Sequence, residues 1–95
     1  MQITDVRVRK VDGESKLRAV ASVTFDDVFV VHDIKIITGE KGLFIAMPSK
    51  KIKSDEYRDI AHPITTDMRN LLQEKIISKY QEETEAEPGS ESALD

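Results

Sequence analysis

Apolar and polar residues alternate strictly between Leu17 and Phe25. Leu17, Ala19, Ala21, Val23 and Phe25 share one face, and Arg18, Val20, Ser22 and Thr24 share the other. A two-residue period over that length predicts a strand with one buried face. Ile3 to Val11 predicts another, with Val6 and Val8 on one side and Arg7 and Arg9 on the other. Asp12-Gly13-Glu14-Ser15 predicts the turn between them. Asp26-Asp27 predicts a tight reversal into a third strand, Val28 to Ile37, whose opening run Val28-Phe29-Val30-Val31 is apolar on both faces. Such a run predicts burial on both sides. A Gly-containing hairpin loop, Thr38 to Gly42, leads to a fourth strand, Leu43 to Met47, whose ladder Pro48 ends. PSKKIKSDE then reads as a basic loop, and Tyr57 to Ala61 as a short fifth strand.

Past His62-Pro63 the period changes from two to about 3.6. Met68, Leu71, Leu72, Ile76 and Tyr80 recur at helical spacing. Thr65 or Thr66 suits the N-cap, and Asp67 suits the first turn of the helix dipole. These signals predict a helix over 66–81. Strands first and a helix last give an α+β domain, in which the helix covers one face of a small antiparallel sheet of about five strands.

Composition sharpens the picture. The chain has 95 residues, no Cys and a net charge of −4. A chain this short has a thin core, and pairing with a second copy adds burial. Without cysteine there is no disulfide framework, thiol nucleophile or Cys-based zinc site. No apolar run approaches the roughly 20 residues of a membrane span, and MQITDVRVRK has no apolar signal core. A cytoplasmic setting is expected. Residues 82–95 hold six acids and no base, which leaves 14 basic against 12 acidic residues over 1–81, a net of +2. The expected organisation is a mildly basic domain over 1–81 and a disordered acidic tail over 82–95.

The expected strand register sets Val8 opposite Ala19, Arg9 opposite Arg18, and Arg18 opposite Lys35. Arg9, Arg18 and Lys35 would then form one row of like charges, which a phosphate backbone would neutralise. Lys50, Lys51 and Lys53, followed by Arg58, suit an anionic polymer for the same reason. On the helix, Arg69, Asn70 and Gln73 are side chains able to read base edges. Phe29, Val31 and Ile37 lie on the face opposite the inferred core and predict a dimer interface. His32 is expected to be a satisfied, partly buried side chain on the same face as Ile34, and His62 to cap a turn. Two histidines are too few to define a zinc site. The chain also lacks a G-x-S-x-G nucleophile, a P-loop and a dinucleotide fingerprint. Neither catalytic residues nor a metal, cofactor or small-molecule substrate is expected.

TDVRVRKV at 4–11, FVVHDIKII at 29–37, GLFIAMPSKK at 42–51 and YRDIAHPITTDMR at 57–69 resemble the septation regulator SpoVG (stage V sporulation protein G) family. The match covers about 1–81, and GLFIAMPSK followed by RDIAHPI is its specific part. The resemblance implies a dimeric bacterial cytoplasmic protein that binds DNA, and in some members RNA. It further implies effects on gene expression, asymmetric septation and sporulation. By position, the helix contribution to nucleic-acid preference falls on Arg69, Asn70 and Gln73, and the MPSK segment on Met47 to Lys50. Two departures stand out: Lys51 replaces a frequent Arg, and IKSDE lacks the Gly common before the aromatic.

The leading expectation is therefore a homodimeric, non-enzymatic regulator that binds DNA, with RNA as the second ligand that some family members take, and with no membrane partner. The alternative is a protein–protein interaction module at the division apparatus.

Overall fold

In the computed structural model the described residues are 1–11, 13 and 15–85. Four strands form an antiparallel meander in the order β1-β2-β3-β4: β1 (Ile3–Lys10), β2 (Leu17–Phe25), β3 (Phe29–Gly39) and β4 (Gly42–Ala46). A separate two-stranded sheet follows, β5 (Ser49–Lys53) paired with β6 (Glu56–Asp59). The helix α1 (Thr66–Glu85) closes the described chain. The fold is α+β, with six strands in two sheets. The segment expected as a basic loop is strand β5, and its partner β6 begins one residue earlier than the expected fifth strand.

One face of the meander is buried. Ala19, Ala21, Val23, Phe25, Ile34, Ile36 and Met47 form the core with Leu72 and Ile76 of α1. The helix lies against β1, β2 and β4, and Met68 and Tyr80 pack at the margins. Its start is capped as expected: the Met68 amide donates to Thr65 Oγ1 at 3.1 Å. It ends at Glu85, past the expected 81, into the segment read as tail. Helix-favouring side chains carry it there. Lys79 pairs with Glu83 at 3.5 Å, and the Thr84 hydroxyl donates to the Tyr80 carbonyl at 2.8 Å. The rest of the expected tail lies outside the described residues.

The register differs from the expected one. Val8 pairs with Ala21 and Arg9 with Val20, two residues along β2 from the expected partners. Between β2 and β3, Ala21 pairs with Ile34 but Val23 pairs with Val31, so β3 carries an extra residue between them. Asp33 sits there at φ 63, in the left-handed region. A bulge of this kind reverses which alternate residues point inward. Phe29 and Val31 therefore share the core side with Phe25 and Val23, while Lys35 and Ile37 point outward. His32 likewise points away from Ile34; it is exposed, and its Nδ1 lies 2.9 Å from the Ser22 hydroxyl.

The turn at Asp26 and Asp27 has both residues left-handed, at φ 52 and 57, as a tight hairpin reversal requires. The N-terminal strand ties it down. Gln2 exchanges bonds with Asp26 at 2.9 and 2.8 Å, and the Asp27 amide donates to Thr4 Oγ1 at 3.0 Å. The apolar run after this turn is not buried on both sides: Val28, Phe29 and Val30 are exposed. Val28 precedes β3, which opens at Phe29 at one end of the sheet.

Candidate nucleic-acid interface

Chain leaving β4 passes through buried Met47 and half-buried Pro48 into β5, and the hairpin is closed at its root by the Ile60 amide donating to the Pro48 carbonyl at 2.7 Å. Beyond that root β5 and β6 pack extensively only on each other among the described elements, and every residue from Lys50 to Asp59 is exposed. Its register sets Lys50 opposite Arg58, Lys51 opposite Tyr57, Ser49 opposite Asp59 and Lys53 opposite Glu56. One face thus carries Lys50, Lys53, Arg58 and Glu56, and the other carries Lys51, Tyr57, Ser49 and Asp59. Lys53 is partly neutralised by Glu56 at 3.9 Å. Among the described residues, Lys50, Lys51 and Arg58 have no ion pair. Two cations facing each other across a hairpin destabilise it in isolation, and a two-stranded ribbon has little stability to spare.

Arg9, Arg18 and Lys35 lie on the outer face of the meander, which the helix leaves uncovered. They are not directly opposed. Arg9 and Lys35 flank Val20 from either side, about 10 Å apart at the usual strand spacing. Arg18 falls at a second irregularity, between Leu17 and Ala19. The row Arg9-Val20-Lys35 ends at Ala46, four residues before Lys50, so its Lys35 end points toward the hairpin root. Arg7, on the same face, is paired with Asp5 at 2.9 Å.

The helix residues lie on the other side of the sheet. Arg69 and Asn70 are exposed, and Gln73 is half-buried beside the β3–β4 turn from Gly39 to Phe44. The ten candidate residues therefore form three groups, with the hairpin projecting from the body and the other two groups on opposite faces.

The dimer candidates divide as well. Phe29 and Val31 border an apolar cleft of about 160 Å³ that also takes in Phe25, Met47, Met68 and Leu72. Ile37 lies on the opposite face, opposite Leu17 and Phe44. The chain has three methionines, and Met1, Met47 and Met68 all line the cleft. Val28, Ile60 and Ile64, chain neighbours of the lining residues Phe29, Ala61 and Pro63, are 83, 68 and 90 % exposed. These residues and the exposed Tyr57 are not legible as site residues in the sequence, since an isolated aliphatic or aromatic carries no periodic signal.

Among the described residues no group of three or more His, Cys, Asp or Glu could hold a metal ion. His62 Nδ1 is engaged locally, 3.0 Å from the Pro63 carbonyl. No described helix is long and apolar enough to cross a membrane.

The family model for SpoVG matches residues 1–82, which includes the hairpin and most of the helix. The chain belongs to the SpoVG family. It is similar to proteins named "Putative septation protein SpoVG" from several bacteria. That of Lachnospira eligens is 64 % identical over 81 residues, covering 85 % of this chain and 92 % of the relative. That of Agathobacter rectalis is 62 % identical over 85 residues, covering 90 % and 98 %. That of Thermoanaerobacter sp. strain X514 is 60 % identical over 87 residues, covering 92 % and 95 %. Within this SpoVG chain, GLFIAMPSK is β4 running into β5, and RDIAHPI is the return from β6 toward α1. The specific part of the resemblance thus falls on the two roots of the hairpin.

Proposed function

We propose that this SpoVG protein is a homodimeric, non-enzymatic cytoplasmic regulator that binds DNA and RNA and thereby acts on gene expression, septation and sporulation. The observation that carries the reading is Lys50 opposite Arg58 on a hairpin that its own fold leaves uncovered. A phosphate backbone supplies the missing negative charge. Lys51 adds a third cation, and Lys35 extends the basic surface toward the hairpin root. The second copy supports the reading by doubling that surface. Its natural place is the methionine-lined cleft with the exposed apolar side chains of Val28, Phe29, Ile60 and Ile64, an exposed apolar surface of the kind that marks an interface.

Titrating a labelled duplex at several salt concentrations tests the proposal. Log affinity should fall with log salt, and replacing Lys50, Lys51 and Arg58 with Ala should flatten the slope by about 0.9 for each phosphate no longer neutralised. A salt-independent signal, or a triple variant that binds unchanged, overturns the assigned surface. The apolar cleft also suits the alternative of a docking module for a division protein. Recovery of division proteins after nuclease treatment, by a variant that no longer binds nucleic acid, would favour that alternative.

A further inference from the structure

Resting on the nucleic-acid reading, we propose that Tyr57 is a stacking platform for an unpaired nucleobase, with Lys51 holding that nucleotide's phosphate.

Four observations lead here. Tyr57 is 64 % exposed on a hairpin whose residues from Lys50 to Asp59 are all exposed and whose only extensive packing is between its own two strands. Its hydroxyl makes no hydrogen bond to any described residue, so the ring is not held there by a polar contact of its own. Lys51 stands directly opposite it on the same face, with Cβ atoms about 5 Å apart, as in any such cross-strand pair. An aromatic face and an ammonium side by side match the two parts of a nucleotide, a π surface and an anion. Finally, Tyr57 is not among the residues that line the methionine-lined cleft, as the exposed Met1 and Phe29 are, so a second copy seated in that cleft does not by itself account for it.

The tip of the hairpin favours unpaired over duplex ligands. Asp55 sits in the turn and Glu56 opens β6 beside it, with Lys53 already engaged by Glu56 at 3.9 Å, so a ribbon entering a groove tip-first would bring the Asp55 carboxylate, which has no ion pair among the described residues, between two phosphate rails. The ribbon is better suited to lying along a strand with its faces. On the Tyr57 face the ring takes the base and Lys51 its phosphate, while Lys50 and Arg58 on the other face add positive potential along the ribbon. A base can offer its π surface only when it is out of the stack. Asp59, on the Tyr57 face opposite Ser49, is the one carboxylate that such a strand must pass, which places the phosphate nearer Lys51 than the root.

The test uses the full chain and two probes at one salt concentration: a single-stranded oligothymidine and a duplex of equal length. Tyr57→Ala should weaken single-strand binding roughly 5- to 160-fold, the range of one lost base stack, and change duplex binding less than about twofold. Tyr57→Phe should restore the single-strand affinity. The chain has two tyrosines and no Trp, and Tyr80 packs against the core. Tyr80 emits in both proteins, so the difference in tyrosine emission between the wild type and Tyr57→Ala reports on Tyr57, and that difference should be quenched by the oligothymidine. Equal weakening on both probes overturns the proposal. So does unquenched emission at saturation, or a loss of binding that tracks a shift from dimer to monomer in sedimentation. If Tyr57→Ala binds both probes as the wild type does, with the usual salt dependence, the stacking site fails while the nucleic-acid reading stands.

Discussion

The Ser22 hydroxyl lies 2.9 Å from His32 Nδ1, beside the point where the extra residue Asp33 throws β3 out of step with β2. The bond fastens the bulge to the neighbouring strand. Everything before Asp33 in β3 thereby shows its odd-numbered residues to the core, and everything after shows its even-numbered ones.

Asp33 occupies the left-handed region at φ 63, which Asp tolerates and a β-branched residue does not. Asp33→Gly should hold or raise stability by up to about 1 kcal/mol, and Asp33→Val should lower it by about 1–3 kcal/mol. Urea midpoints at constant m-value give both numbers. Deleting Asp33 should be far worse, because it turns Phe29 and Val31 to the outer face.

Arg58→Glu separates stability from binding. Opposite Lys50 it replaces a repulsive pair with an attractive one, worth about 0.2–1 kcal/mol to the hairpin. The variant should melt no lower than the wild type, yet bind nucleic acid at least tenfold more weakly. Parallel melting and binding curves decide it.

A Cβ at Gly39 would come within 2.9 Å of Phe44 Cε1 across the β3–β4 turn. Gly39→Ala should cost about 1 kcal/mol by forcing the ring aside. Combining it with Phe44→Leu should recover most of that loss, which a double-mutant cycle in urea would show as a coupling energy.

Phe29→Asp places a charge at the rim of the methionine-lined cleft without touching the fully buried core, since Phe29 is 62 % exposed. The expected result is a folded monomer by sedimentation and circular dichroism. Nucleic-acid affinity should fall with it, because fewer phosphates are reached at once.

Removing residues 86–95 takes away Glu87, Glu91 and Asp95 and shifts the net charge from −4 to −1. Nucleic-acid binding should tighten severalfold at low salt, and the difference should shrink as salt screens it. Equal affinity for the two lengths would remove any competition between these acids and the ligand.

The elements with one buried face are legible in the sequence. β2 is legible to its observed bounds because Ala19, Ala21 and Val23 alternate with polar or half-buried residues, and α1 because Leu72 and Ile76 fall on one stripe. β5 is not legible, because both of its faces meet water and no apolar period marks it. The inward side of Phe29 and Val31 escapes the pattern for a different reason. A single left-handed residue reverses the parity of a strand, and no composition signal announces that Asp33 takes the extra place. For the same reason Lys50, Lys51 and Lys53 are visible as a cluster, but not that Lys50 faces Arg58 and Lys51 faces Tyr57. Such pairings belong to the register.

All three methionines gather at one cleft, and their methyl groups therefore form a built-in reporter set. Isotope labelling of methionine alone would light up this region of the chain and leave the hairpin dark. A ligand at the arm and a partner at the cleft could then be told apart in one spectrum, without altering a single side chain.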